Sequence, residues 1–225
     1  MGGQVRKRTG DFPTVTATII ALNVIIFFWG RFPALLGPDI RFAELAVRPS
    51  NVWLAITGQG DLVALTTLYS SLFLHAGLLH LLMNLLVFAI FGPAVERVLG
   101  HLLFCLFYLF WGVSAQMVQV LANVDSMIPV LGASGAVAGV LGAYFVLYPA
   151  KLFDLKWIKI PAALLIGAWL AAQFFLPSLL GGTPAVATWA HVGGFLLGMV
   201  IVLLIDRSGG FRTKARDLQV KAVEA

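Results

Sequence analysis

Three apolar segments of this 225-residue chain carry polar side chains of types that can perform acyl transfer. His80 and Asn84 share the first segment, Ser134 begins the second, and His191 lies in the third. A serine hydroxyl becomes a nucleophile when a neighbouring base takes its proton, and the oxyanion formed on the attacked carbonyl needs hydrogen-bond donors. Ser134 with His191 could meet the first requirement, so these two residues are the candidate nucleophile and base.

The second requirement, stabilisation of an oxyanion, could be met by His80, Asn84 and the backbone N–H of Ser134. The four-residue step from His80 to Asn84 puts both side chains on one helix face. Gly132 and Gly135 around the serine permit a tight entry into a helix, and the free N–H groups at a helix start favour negative charge. Because no Asp or Glu is expected at this depth, the pattern predicts a Ser–His dyad.

The composition places these residues in a membrane. Hydrophobic residues make up 60% of the chain and charged residues 11%, with a mean hydropathy of +0.95. A soluble domain carries about 25% charged residues, and a disordered chain would be poor in aromatic residues, whereas this one has 17 Phe. The net charge of +5 is spread thinly, so no nucleic-acid partner is expected. The single Cys105 excludes an internal disulfide.

Six apolar runs predict an all-α polytopic bundle of six transmembrane helices in a lipid bilayer, because a spanning helix needs roughly 20 apolar residues. The predicted spans are residues 14–29, 72–95, 102–121, 134–147, 158–176 and 185–205, with a loop at 177–184. The fourth run is short and rich in glycine, so we predict that it is buried among the others. The domain organisation follows: a tail at 1–13, a membrane domain at 14–205 with a long outer loop at about 31–71, and a tail at 206–225.

The distribution of Lys and Arg predicts the orientation of these spans. With the N-terminus inside, the inner segments carry twelve basic residues and the outer segments carry three, Arg31, Arg41 and Arg48. Basic residues concentrate on the cytoplasmic side of membrane proteins. Both termini are therefore predicted to be cytoplasmic, which puts Ser134 and His191 near the outer ends of their helices. The long outer loop carries many apolar residues, so we expect it to have structure of its own.

The order and spacing of these motifs resemble those of the rhomboid intramembrane serine proteases. The matching residues are Gly132-Ala133-Ser134-Gly135, His80 and Asn84 with His75 before them, Ala190-His191 followed by Gly194 and Gly198, and Gly92-Pro93-Ala94-Val95-Glu96. The resemblance implies a nucleophile at Ser134, a general base at His191 and oxyanion support from His80 and Asn84. It also implies cleavage of transmembrane protein substrates near the outer face, without a cofactor. We expect a multi-pass protein of a prokaryotic inner membrane.

The sequence departs from this family's pattern at two places. Many members have a Trp-Arg pair in the long first loop, where this chain reads Leu65-Thr66-Thr67-Leu68-Tyr69. Some members place an aromatic residue one turn after the nucleophile, where it stacks on the base, but this chain has Ala138. Other packing must therefore orient His191.

Alternative functions leave different marks in a sequence. A zinc protease would carry a His-Glu-x-x-His run, and none is present. An aspartyl protease would need two aspartates inside spans, but Asp125, Asp154 and Asp206 fall in loops or at span ends. A transporter is disfavoured because we expect no intramembrane carboxylate and find no repeated halves. A non-catalytic member of the same fold that binds membrane clients stays open as the alternative, although the serine and histidine it would have lost are both present.

Overall fold

A computed structural model describes residues 12–31, 42–154, 158–179 and 187–223. Its α-helices are α1 (Thr14–Arg31), α2 (Phe42–Leu45), α3 (Pro49–Ile56), α4 (Thr67–Ser70), α5 (Leu78–Leu99), α6 (His101–Ala122), α7 (Ser134–Leu147), α8 (Ala162–Leu179), α9 (Thr188–Ile205) and α10 (Gly210–Val223). The 3-10 helices Leu62–Thr66 and Ser71–Phe73 lie on either side of α4. Between α7 and α8, strands β1 (Leu152–Asp154) and β2 (Lys159–Pro161) pair in antiparallel fashion.

Three helices in the described ranges, α5, α6 and α9, are long and apolar enough to cross a membrane. Shorter apolar segments occupy Thr14–Gly30, Leu62–Phe73, Ser134–Leu147 and Ala162–Gln173. The architecture is that of a mostly helical, polytopic membrane protein. The count of six spans and the cytoplasmic position of both termini stay predictions.

Helix α7 is the centre of the bundle. All of its residues from Ser134 to Tyr144 are buried, and it packs against α5, α6, α8 and α9. The prediction that the short, glycine-rich fourth run is surrounded by protein is therefore confirmed. A helix buried on all sides needs no polar face, which explains why this segment is apolar around its whole circumference.

Glycines bring α7 and α9 together more closely than any pair of larger residues would allow. A Cβ built on Gly194 would overlap the carbonyl oxygen of Gly135, and one built on Gly198 would overlap that of Gly139. Small residues at four-residue spacing permit this backbone approach in membrane helices. The contact fixes the axial register of α7 against α9, and therefore the position of Ser134 relative to His191.

The second predicted span differs from α5 at both ends. We predicted it over residues 72–95, but Ser71–Phe73 form a 3-10 turn and α5 begins only at Leu78, after Gly77. The run appeared longer because the turn itself is apolar, and hydropathy does not detect where a chain changes direction. At the other end α5 continues to Leu99, so Glu96 lies inside the helix. The helix that is long and apolar enough to span therefore includes one carboxylate in its last turn, and the expectation of no carboxylate inside the membrane stays a prediction.

The carboxylate of Glu96 is buried and fully paired. It accepts hydrogen bonds from the backbone N–H groups of Val15 at 2.9 Å and Thr16 at 2.8 Å, and from the Thr16 hydroxyl at 2.6 Å. The ring Nδ1 of His101 lies 2.6 Å from the same carboxylate. A buried charge is tolerated when hydrogen bonds satisfy it. Here the partners include N–H groups at the start of α1, which have no acceptor in their own helix, so Glu96 joins α1 to α5.

The long connection after α1 has structure of its own where it is described, as we expected. It contains α2, α3 and α4, and Val47 forms an antiparallel bridge with Val130 of the loop before α7. Val47, Val52, Leu68, Val120 and Val130 are buried together in a small hydrophobic cluster. Residues 32–41, which include Arg41, lie outside the described residues. The connection therefore packs on the loop that leads to Ser134.

Two predicted non-helical regions contain helix. The sequence predicts a loop at 177–184, but α8 continues through Pro177 to Leu179, and residues 180–186 lie outside the described part. The predicted tail at 206–225 contains α10, in which Ala215 is fully buried against the bundle. Most of tail 1–13 is likewise outside the described residues. Hydropathy did not mark these two helical segments because Pro177 interrupts the end of α8 and α10 is polar.

Candidate active site

The chain reaches Ser134 through a sharply turned segment. Gly132 has a φ of +126°, a backbone conformation that residues with a side chain rarely adopt. Its N–H donates to the carbonyl of Ser71 at 2.9 Å. Ser134 then occupies the first position of α7, with only 6% of its surface exposed. The serine hydroxyl and the first free N–H groups of the helix therefore lie at the same end of α7.

The structure brings Ser134 and His191 into contact. The His191 Nε2 lies 2.8 Å from the Ser134 Oγ, across 57 residues of sequence, and both side chains are buried. This is hydrogen-bond distance for a base and the hydroxyl whose proton it would take. His191 lies in the first turn of α9, so the close packing of α7 on α9 positions both partners.

Gln119 on α6 holds the start of α9. Its Oε1 accepts the backbone N–H groups of Trp189 at 3.1 Å and Ala190 at 3.2 Å, which have no acceptor within their own helix. Sequence reasoning did not assign this role to Gln119, because a glutamine in an apolar helix gives no sign of what it bonds. The contact fixes the backbone immediately before His191.

The second ring nitrogen of His191, Nδ1, is buried and has no hydrogen-bond partner within the described ranges. An acidic third member of a triad would bond at this atom. The ring of Trp169, on α8, instead lies edge-on to the imidazole, with ring centroids 5.7 Å apart and planes inclined by 66°. Sequence reasoning missed Trp169, because an aromatic residue in an apolar run carries no signal of its own.

His80 lies close to Gly132, two residues before the serine. A Cβ built on Gly132 would be 2.9 Å from His80 Cε1, 3.0 Å from His80 Nε2 and 3.6 Å from Ser134 Oγ. The edge of the His80 ring therefore borders the space beside the nucleophile. His75 contacts His80 through an edge-to-face pair of rings with centroids 5.1 Å apart. His75 precedes α5, so it supports His80 from outside the helix.

Asn84 lies one turn below His80 on α5 and is buried. Its Nδ2 donates to the His80 carbonyl at 2.8 Å, within the same helix. An amide nitrogen carries two hydrogens, so one remains available to a further acceptor. The structure thus joins one hydroxyl to one imidazole and brings the His80 ring beside the segment that leads to that hydroxyl, and a nucleophile in contact with a base is the first requirement for attack on a carbonyl group.

Fold and site together define a polytopic helical membrane protein with a buried serine–histidine contact. Residues 63–208 match the Rhomboid domain family, and the chain belongs to the rhomboid family. It is 30% identical to the putative rhomboid protease YdcA of Bacillus subtilis over 206 residues, which cover 87% of this chain and 92% of that protein.

Further relatives come from plants and fungi. RHOMBOID-like protein 4 of Arabidopsis thaliana is 34% identical over 237 residues, covering 91% of this chain and 56% of that protein. Rhomboid protein 1, mitochondrial, of Saccharomyces cerevisiae is 26% identical over 239 residues, covering 90% and 67%. The chain thus spans between about half and two thirds of these two relatives' lengths. Because the relatives include a protein named mitochondrial and a plant protein, the prokaryotic inner membrane stays a prediction.

Proposed function

We propose that this chain is an intramembrane serine endopeptidase that cleaves transmembrane segments of other proteins near the outer face of the membrane. The observation that carries the proposal is the 2.8 Å contact between Ser134 Oγ and His191 Nε2 in a member of the rhomboid family. Among the relatives from Bacillus subtilis, one is named rhomboid protease GluP and another putative rhomboid protease YdcA. The proposed protein has six spans, cytoplasmic termini and no cofactor.

In the proposed reaction His191 Nε2 takes the proton of the Ser134 hydroxyl as Oγ attacks the substrate carbonyl. The oxyanion that forms is held by the Ser134 backbone N–H, His80 and Asn84. His191 then gives its proton to the departing amide nitrogen, which leaves an acyl group on Ser134. A water molecule, deprotonated by His191, attacks the ester carbonyl, and His191 then returns this proton to the departing Ser134 Oγ, which releases the acid product and restores the serine and the neutral base. Because water takes part, the site must open to the aqueous outer side.

Replacement of either dyad residue tests the proposal. Purified Ser134→Ala and His191→Ala should each lose cleavage of a reporter transmembrane substrate in detergent, while retaining the helical content and thermal unfolding midpoint of the wild type. Ser208→Ala, the same change at an exposed turn after α9, is the matched control and should cleave normally. Retained cleavage in either dyad variant contradicts the proposal. A wild-type protein that binds such substrates but never cuts them would favour the client-binding alternative.

A further inference from the structure

His191 is held at only one of its two ring nitrogens. Nε2 contacts Ser134, whereas Nδ1 has no hydrogen-bond partner among the described residues. A single hydrogen bond fixes one atom of the ring but leaves the ring free to rotate about that contact. A base must keep its lone pair directed at the hydroxyl, so the ring plane has to be fixed by packing.

The position from which some rhomboids supply that packing is closed in this chain. Ala138, one turn after Ser134, is fully buried at the contact of α7 with α9. A Cβ built on Gly194 would lie 3.3 Å from the Ala138 Cβ, which leaves no room between the helices for an aromatic ring. The close glycine packing that brings serine and histidine together therefore excludes a stacking residue at position 138.

Trp169 supplies an aromatic ring from a different helix. Its centroid lies 5.7 Å from that of His191 with the planes inclined by 66°, within the range of favourable edge-to-face pairs. Trp169 is half-buried and packs against the main hydrophobic core, so its own position is constrained. We infer that Trp169 is the positioning residue that holds the His191 imidazole in the plane required for deprotonating Ser134, an inference that rests on the proposed function.

This arrangement makes the base depend on α8. Helices α7 and α9 pack against each other over an extensive surface, and among the described residues α8 has far fewer contacts with either of them. Nucleophile and base therefore belong to one closely packed pair of helices, whereas the ring that orients the base belongs to a third helix, α8. A displacement of α8 withdraws Trp169 from His191 without changing the distance between α7 and α9.

The labelling rate of Ser134 by a small fluorophosphonate tests the inference, since it measures activation of the hydroxyl without entry of a protein substrate. Trp169→Leu keeps apolar bulk but lacks a ring. We expect Ser134 of this variant to be labelled about 5- to 10-fold more slowly, because this factor corresponds to the free energy of one aromatic pair. Trp169→Phe should label within about twofold of the wild type, because a ring is kept. Phe175→Ala, an aromatic residue of α8 that is 72% exposed, is the matched control and should not change the rate.

Rates are compared at temperatures where each variant is shown to be folded by its thermal unfolding midpoint. Trp169→Leu labelling at the wild-type rate overturns the role of Trp169 and leaves the proposed function intact. Trp169→Phe labelling as slowly as Trp169→Leu also overturns it, because the indole would then act through its size alone. Folded wild-type protein that does not label at all overturns both the proposed function and the inference that rests on it.

Discussion

Gly132 determines where His80 can lie. A methyl group at this position would overlap the His80 ring, and the φ of +126° is strained for any residue with a Cβ. We expect Gly132→Ala to lower the cleavage rate about 100-fold or more, comparable to the loss of an oxyanion donor, because His80 would move away from Ser134. Steady-state cleavage of a reporter substrate measures this.

The control for Gly132 separates backbone strain from the overlap with His80. Gly209 also has a positive φ, +75°, but a Cβ there meets nothing within 4 Å, and it lies after α9, far from the serine along that helix. Gly209→Ala should retain cleavage. Equal losses in the two variants would show that strain alone, and not the position of His80, explains the effect.

His80 and Asn84 should each contribute to the rate of the chemical step. Removal of an oxyanion donor costs about 100- to 1000-fold in kcat, so His80→Ala and Asn84→Ala should lower kcat by this order while KM changes little. Both variants should retain some activity, unlike the dyad variants. A rise in KM with unchanged kcat would assign these residues to substrate binding, and a lowered unfolding midpoint would assign them to helix packing.

At the scale of single residues, the sequence predicts those positions whose chemistry is unusual for their surroundings. Ser134 and His191 are polar groups in apolar helices, where such groups are costly, and the structure joins them. Trp169 and Gln119 could not be assigned, because their roles depend on which helix faces which. Contacts between α8 and α9, or between α6 and α9, follow from three-dimensional packing that a single sequence does not specify.

Among the elements, the contact of α7 with α9 governs both stability and activity. A Cβ on Gly198 would overlap the backbone of Gly139, so Gly198→Ala must force the two helices apart. Overpacking of this kind costs about 1–3 kcal/mol, and separation of the helices also lengthens the distance from Ser134 to His191. We expect a lower thermal unfolding midpoint together with reduced fluorophosphonate labelling.

Gly167 provides the comparison for Gly198. It lies within α8, and a Cβ there meets nothing within 4 Å. Gly167→Ala should leave stability unchanged or raise it by up to about 1 kcal/mol, because alanine favours helix over glycine. If Gly198→Ala is as stable and as reactive as Gly167→Ala, then α7 and α9 do not need their close approach.

The elements that the sequence predicted well are those whose apolar run coincides with one straight helix. The run at 102–121 corresponds to α6 within one residue at each end, and 134–147 coincides with α7. The run at 72–95 failed at its start because the turn Ser71–Phe73 is apolar and no Asp, Glu, Lys or Arg separates it from α5. Helix α10 was missed because an amphipathic helix that packs on a bundle has no continuous apolar run.

For the molecule as a whole, the site's depth determines which bonds can be cut. Ser134 is predicted to lie near the outer end of α7, since the basic residues place both termini in the cytoplasm. A substrate must present an extended segment to the serine, and each backbone group that is unpaired in lipid costs several kcal/mol. Substrates with Gly or Pro near their outer end have already lost part of that helical hydrogen bonding.

The last prediction therefore concerns the position of the cut bond in a transmembrane substrate. The space beside Ser134 is narrow, because the His80 ring lies within contact distance of the Cβ position of Gly132, which is itself 3.6 Å from Ser134 Oγ. We expect cleavage near the outer interface, after a small residue such as Ala, with helix-breaking residues just beyond it. Replacement of that Ala by Leu in a reporter substrate should lower kcat/KM by about 10-fold or more, because a larger side chain in a closely packed site costs about 1–3 kcal/mol. Mass spectrometry of both product ends locates the bond. Cleavage at the membrane centre or at the cytoplasmic face would mean that Ser134 lies at a different depth, and the predicted orientation of the spans would then have to be reversed or revised. Cleavage consistently after bulky residues would mean that the site around Ser134 is wider than the His80 contact suggests.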